Sequence, residues 1–366
     1  MENIKTNYEG YVIKRDCKHY LGDRPCKPHK KFGKKCLDCE HYVNKDKHIL
    51  IIKLGSIGDV IRTTPIARKL KEIYPNCELT WITHFPEVIP KIVDHALKLD
   101  PSILLRIFAE KYDIVYNLDK DIEACALTNL VNADQKKGFV FKNGKCEPID
   151  EDALHKHLTG IDDHLNKQNT LSYPQEIFEI AGLHYQKEEY IVDIPELKII
   201  LPQLKRPIIG LNTGCSERWP TRNWPTKNWI ELSQKLIQEG YSVLLLGGEL
   251  EHSKNMEIAK ESGAYYHGSY PLHQFTHLVN TCDVIVTPVT MAMHLAIGLK
   301  KKLVLFNNIF NRHEFEFYGR GLIVEPKLNC MGCFKTRFDE LCPVKNCMEL
   351  VKVEEVVDAI KNSLEK

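Results

Sequence analysis

The chain has 366 residues, enough for two α/β domains that each bury a core of their own. Hydrophobic residues at 43% and charged residues at 27% exclude a disordered or fibrous protein, and a net charge of +1 gives no global field for nucleic acid. No apolar run approaches the roughly 20 residues of a membrane-spanning helix, and the first residues have no apolar signal core, so a cytoplasmic protein is expected.

Residues 1–45 form a Cys-rich segment. Residues 1–48 carry twelve Lys/Arg against seven Asp/Glu; a solvated surface is the simpler reading of this excess, and peripheral contact with an anionic inner-membrane surface is the alternative. The first domain is expected over 46–195. HILIIKLG (48–55) reads as a buried parallel strand, DVIRTTPIARKLKEIY (59–74) as the helix after it, and ELTWIT (78–83) and YDIVYNL (112–118) as further strands. Strand and helix alternate as in a doubly wound sheet. The polar, poorly patterned stretch 143–175 reads as a loop lining or covering a cleft.

The second domain, 196–325, repeats the alternation. It opens on PIIGLNTG (207–214), runs through the amphipathic helix TKNWIELSQKLIQEG (226–240) with Gly240 as its C-cap, and continues through SVLLLGG (242–248), DVIVT (283–287) and KLVLFNN (302–308). The join falls near 197–207, and two Rossmann-like halves in one chain place a ligand cleft between them. Residues 326–366 hold a second Cys-rich segment and a closing helix, 352–364.

The chemistry is written in turns at strand ends. In KLGSIGDVIRTTP (53–65), Gly55 and Gly58 permit a tight turn, and Asp59 falls at a helix N-terminus, where capping and the dipole favour a carboxylate. Alone this is a fragment of a dinucleotide fingerprint without the full G-x-G-x-x-G. Together with GLNTGCSERWPTRNWPTKNW (210–229), LLLGGELEHSKN (244–255) and DVIVTPVTMAMHLAIGLKKKLVLFNN (283–308), it resembles glycosyltransferase family 9, the ADP-heptose-dependent heptosyltransferases, over roughly residues 48–325. The resemblance implies an α/β protein of the GT-B type: two Rossmann-like domains facing a cleft, acceptor on the amino-terminal side, nucleotide sugar on the carboxy-terminal side. It implies inverting transfer of a sugar, heptose from ADP-heptose, to a hydroxyl of a glycan, lipopolysaccharide or protein, without a catalytic metal.

Carried over residue by residue, the resemblance makes Asp59 the general base, in the turn with Gly58. Thr213 lies in the loop facing the donor phosphate, Arg222 takes the place of a family Lys or Arg that pairs with it, and Glu251 meets the ribose, with Glu249 competing because the register is loose. Thr290, Met291 and His294 lie at the phosphates, at the start of a helix. Structural alternatives stand beside these roles: Asp59 and Thr290 as caps, Arg222 as a surface charge, Glu251 as a first-turn carboxylate, His294 as a core histidine. Trp224 and Trp229 read as core anchors. The chain departs from the family at Val289, where an acidic residue is usual, and at Met291, where a small one is. Those departures motivate a catalytically weak scaffold or binding protein as the alternative; a nucleotide-sugar epimerase of the same fold is another. FNRHEFEFYGRG (310–321) reads either as a loop that meets acceptor hydroxyls or as packing.

Of thirteen cysteines, eight fall in two terminal sets: Cys17, Cys26, Cys36 and Cys39, then Cys330, Cys333, Cys342 and Cys347. Each set contains a C-x-x-C pair and supplies four thiolates, suited to a closed structural zinc or iron site, with His19, His29 and His41 as competing ligands in the first. The second set resembles the four-Cys iron finger of heptosyltransferases that modify autotransporter proteins, with tighter later spacing. The remaining five, Cys77, Cys125, Cys146, Cys215 and Cys282, read as small buried hydrophobes.

Overall fold

The computed structural model describes residues 12–196, 199, 201, 204–215, 219–335 and 337–365. The amino-terminal segment carries one short helix, α1 (Lys27–Phe32), and is tied to the first domain by Lys18, which donates to Cys77 O (3.2 Å) and pairs with Asp94 (3.0 Å).

The first domain is built on β1 (His48–Ile52). Alternate residues of this strand point to opposite faces: Ile49 and Ile51 join Trp81, Phe139 and Phe178, whereas Leu50 and Ile52 join Tyr112 and Val115. Burial on both faces is what a parallel strand between helix layers requires. The helix expected over 59–74 is instead two, α2 (Ile57–Thr63) and α3 (Pro65–Ile73), because Pro65 has no N–H to continue the first and suits the start of the second. There follow β2 (Glu78–Thr83), β3 (His95–Lys98), α4 (Pro101–Ala109), β4 (Lys111–Asn117), α5 (Ile122–Leu130) and β5 (Asn132–Lys142). The sheet order is β3-β2-β1-β4-β5, all parallel, with β6 (Lys145–Pro148) antiparallel at the edge.

The stretch 143–175 is not a loop. It contains β6, α6 (Leu154–Ile161), α7 (Asp163–Gln168) and the first turn of α8 (Tyr173–Ile180). Its helices are short, and α7 starts on a local device: the Asp162 carboxylate accepts from His164 N (2.8 Å) and Leu165 N (3.1 Å). Capping of this kind leaves little apolar periodicity to read.

The second domain contains β7 (Ile208–Asn212), α9 (Thr226–Gln238), β8 (Ser242–Leu246), α10 (His252–Ser262), β9 (Tyr265–Tyr266), α11 (Leu272–Thr281), β10 (Val284–Pro288), α12 (Met291–Gly298), β11 (Lys302–Phe306) and β12 (Gly321–Val324). Its six strands are all parallel in the order β12-β11-β10-β7-β8-β9. Gly240 takes φ 90° just beyond α9, the left-handed conformation that ends a helix without a Cβ clash. The last helix, α13 (Val353–Glu365), packs on this domain, where Val356 and Ile360 share a core with Trp224, Trp229 and Phe306. Trp224 Nε1 donates to Val351 O (3.1 Å), so both tryptophans are core anchors as expected.

Each sheet winds one way from its first strand and then reverses, between β1 and β4 and between β7 and β10. Ligands bind beyond the carboxyl ends of strands at such switch points. The join expected near 197–207 lies largely outside the described residues. Before it, the chain runs along the seam: Ile191 N donates to Thr64 Oγ1 (2.8 Å), and Glu189 pairs with Arg320 (3.0 Å). Asn311 Nδ2 donates to Asn166 O (2.6 Å) and Asn169 O (2.7 Å), tying the helices after β6 to the second domain. Among the described residues no helix is long and apolar enough to cross a membrane.

Candidate active site

Between the two switch points lies a cavity of about 1010 Å³, lined from both domains. Its first wall is the turn after β1. Asp119, at the end of β4, accepts from Leu54 N (2.9 Å) and Gly55 N (3.3 Å) and pairs with the buried Lys53 (3.1 Å), which also donates to Gly55 O (2.8 Å). Burial opposes the Lys53 charge, but Tyr173, Asp119 and Asp59 outweigh it and hold the ammonium above its ordinary range. The backbone of the turn is thereby fixed.

Asp59 both caps α2 and lines the cavity, so its two readings are compatible. Its Oδ2 accepts from Ser56 N (3.0 Å) and Ser56 Oγ (2.8 Å), while its Oδ1 takes Arg62 Nη2 at 2.6 Å. Burial would raise its proton affinity, but Arg62, Lys53, Ser56 and His294 together pull the carboxyl well below the usual carboxylate range. Arg62 itself lies over the Tyr173 ring, 3.4 Å from the centroid.

Gly58 is needed for close approach. A Cβ there would sit 2.5 Å from His294 Cδ2, so α2 of one domain meets α12 of the other at this point. His294 is buried, lines the cavity and leaves Nδ1 without a hydrogen-bond partner. Burial first, then Arg62, lower its pKa to about 3, against a small opposing pull from Asp59; the ring is neutral at pH 7.

The second wall comes from β7, β10 and α12. Thr290 occupies the N-cap position of α12, but its hydroxyl turns to Thr287 Oγ1 (3.0 Å) and Asn212 Nδ2 (3.3 Å) rather than capping the helix; Thr290 and Met291 line the cavity at the helix N-terminus, where first-turn amides lack intrahelical acceptors. Arg222 is 7% exposed, donates through Nη1 to Val289 O, and faces the Trp219 and Phe310 rings at 5.7 and 5.6 Å. No carboxylate among the described residues pairs with it, and burial lowers its pKa. It is a nearly buried guanidinium rather than a surface charge. Val289, where the family usually has an acidic residue, is packed in the core and contributes its carbonyl.

The register at 249–251 is resolved. Glu251 lines the cavity and accepts from Gly248 N (2.9 Å), whereas Glu249 accepts from Ser269 Oγ (2.5 Å) and does not line it. The loop holding Thr213 lines the cavity at Asn212 and Gly214, while the Thr213 hydroxyl itself is buried and donates to Asn255 Oδ1 (2.5 Å).

Sequence reading missed Lys53, Arg62, Asp119, Tyr173 and Glu314, all on the cavity wall. Arg62 had a signal, three residues beyond Asp59 on one helical face, and Asp119 had another, at a strand's carboxyl end. In 310–321, Glu314 faces the cavity while Phe315 joins the core, so the segment serves site and packing together.

The terminal cysteines form no disulfide. Among the described residues no group of three or more His, Cys, Asp or Glu is arranged to hold a metal ion. Cys347 accepts from Asn308 Nδ2 (3.3 Å), and burial together with Cys333 and Cys330 pushes its thiol up.

The family model for glycosyltransferase family 9 (heptosyltransferase) matches residues 103–336. Lipopolysaccharide heptosyltransferase 2 of Salmonella typhimurium is 25% identical over 296 residues, covering 70% of this chain and 81% of that protein. Among solved structures, a family 9 glycosyltransferase from Veillonella parvula matches with a TM-score of 0.67 at 18% identity, covering 88% of this chain and 98% of that one. The iron-containing dodecameric glycosyltransferase TibC of enterotoxigenic E. coli matches at 0.55 and 15% identity, over 88% of this chain and 77% of that one. With both switch points opening on one cavity and the family match spanning the whole second sheet and half of the first, the chain belongs to glycosyltransferase family 9 and is a GT-B glycosyltransferase.

Proposed function

We propose that the protein transfers heptose from ADP-heptose, with inversion, to a hydroxyl of a lipopolysaccharide-type acceptor. The observation that carries this reading is the pairing of walls: a carboxylate, Asp59, on one side of the cavity, and on the other a nearly buried guanidinium, Arg222, with no carboxylate partner among the described residues, beside the N-terminus of α12. In the reaction the acceptor oxygen bonds to the anomeric carbon as the bond from that carbon to the diphosphate oxygen breaks. The electron pair leaves with ADP, and the hydroxyl proton passes to Asp59. Arg222 and the first-turn amides of α12 offset charge developing on the diphosphate, and Glu251 accepts from ribose hydroxyls. Neutral His294 adds no charge to this wall. The relatives named for lipopolysaccharide and lipooligosaccharide support heptose as the sugar and the acceptor class; scaffold and epimerase readings have no comparable support.

The reading extends to a cytoplasmic location with peripheral membrane contact through the basic amino-terminal segment. It extends also to a structural zinc or iron, a reading supported by the two sequence sets of four cysteines, each with a C-x-x-C pair. No step of the transfer runs through a metal.

Mass spectrometry of products from ADP-heptose and a heptose-deficient lipopolysaccharide core tests the transfer. Asp59→Asn is expected to keep ADP affinity and lower turnover by about 100-fold or more; near-native turnover removes Asp59 from the mechanism.

A further inference from the structure

Glu314 has no role in the transfer as described. It closes the short turn Arg312–Glu314 after β11, and its side chain lines the cavity. Its carboxylate has one charged partner, Arg62, with Nη1 at 3.7 Å from Oε2, and no described donor hydrogen-bonds to it. The same guanidinium holds Asp59 through Nη2 at 2.6 Å, and stacking on Tyr173 fixes its plane. One cation from α2 is therefore shared by two carboxylates, one from each domain.

This sharing bears on a chemical difficulty. A general base is most effective with a proton affinity near the working pH, and a carboxylate neutralised by arginine is a weak one. Asp59 already takes two hydrogen bonds from Ser56 as well as the Arg62 pair. We propose that Glu314 is a positioning residue for the base: by engaging the Nη1 edge of Arg62 it limits how completely that guanidinium neutralises Asp59. The inference rests on Asp59 being the base.

The groups facing the two carboxylates set the sign. Asp59 faces Arg62, Lys53 and His294; Glu314 faces Arg62, Lys156, Asp59 and Glu176. Burial outweighs the cations at Glu314, and its carboxyl is raised above the ordinary Glu value of 4.5. Asp59 and His294 both sit far lower, so neither changes charge between pH 5 and 8. Ionised Glu314 engages Arg62, and protonated Glu314 releases it to Asp59. Turnover in the native enzyme should thus fall as falling pH protonates Glu314.

The experiment is the pH profile of turnover from pH 5 to 8 for the native enzyme, Glu314→Gln, Glu314→Asp, Arg62→Gln and the Glu314→Gln/Arg62→Gln double variant, with ADP affinity measured alongside. Glu314→Gln is expected to lose about tenfold in turnover at pH 8, keep ADP affinity and lack the acid limb. Glu314→Asp keeps the limb, which a purely structural role would not require. With Arg62 already replaced, Glu314→Gln should add little. An acid limb that persists unchanged in Glu314→Gln overturns the proposal, as does a full tenfold effect in the Arg62→Gln background. If Asp59→Asn is inactive while the Glu314→Gln limb is unmoved, this inference falls and the base assignment stands; a fully active Asp59→Asn overturns both.

Discussion

Replacing Gly58 with Ala tests the seam between the domains. The added methyl would lie 2.5 Å from His294 Cδ2 and 3.0 Å from Nε2. Carbon contacts are comfortable at about 3.5–4.0 Å, so α2 and α12 must separate by about 1 Å. His294 has little room to yield, being buried beside the Tyr190 ring (6.1 Å between centroids). Overpacking of this kind costs about 1–3 kcal/mol, offset by about 0.5–1 kcal/mol from removing glycine from a helix. A net loss of about 1–2 kcal/mol corresponds to a fall in melting temperature of about 2–8 °C. Catalysis suffers more, because Asp59 follows Gly58 directly and the donor wall begins at α12. A displacement of about 1 Å between reacting groups costs on the order of 100-fold. Calorimetry measures the first effect and continuous detection of released ADP the second. His294→Ala in the Gly58→Ala background should return most of the stability, since it vacates the space. A Gly58→Ala protein with native melting and native turnover would refute the reasoning.

Arg222→Ala should weaken ADP binding by about 10–100-fold, the value of a charge-assisted hydrogen bond; titration calorimetry showing unchanged affinity rejects the contact. For His294, the folded pKa of about 3 lies below the ordinary 6.5, so between these values only the unfolded chain takes up the proton. Stability from this residue is complete above pH 6.5 and declines as pH falls toward 3, and His294→Asn should flatten the fall in melting temperature between pH 7 and 4.5; equal slopes contradict it. Elemental analysis of reduced protein is expected to find zinc or iron, and a chelator to lower the melting temperature, with Cys330→Ser/Cys333→Ser stripping the carboxy-terminal ion and Cys36→Ser/Cys39→Ser any amino-terminal one. Identical melting of metal-free and native protein ends the structural-metal reading.

Much of the architecture was legible from sequence because it rests on local patterns. The run His48–Ile52 is apolar throughout, as a strand between two helix layers must be, and its pairing with β2 and β4 on either side agrees. Asp59, Arg222 and Glu251, which line the cavity, were legible through the resemblance of their segments to a known family, since each segment alone is a weak signal. The polar helices α6 and α7 were not: α6 is tied to α8 by Lys156 and Glu176 (2.5 Å), and α7 rests on its Asp162 cap and on Asn311, which donates across the seam to Asn166 O.

By itself the sequence determined two alternating strand and helix series, their tryptophan anchors and the turns at strand ends that line the cavity, because these depend on neighbours a few residues apart. Only the tertiary structure decided that Thr213 turns inward to Asn255, that Glu251 rather than Glu249 meets the cavity, and that Gly58 admits His294. It alone joined Asp59 and Glu314 through Arg62, across 252 residues between positions 62 and 314. The physical reason is range: strand burial and helix capping are local, whereas the charge on a carboxylate depends on whichever groups the fold brings within a few ångströms, and sequence spacing does not encode that distance.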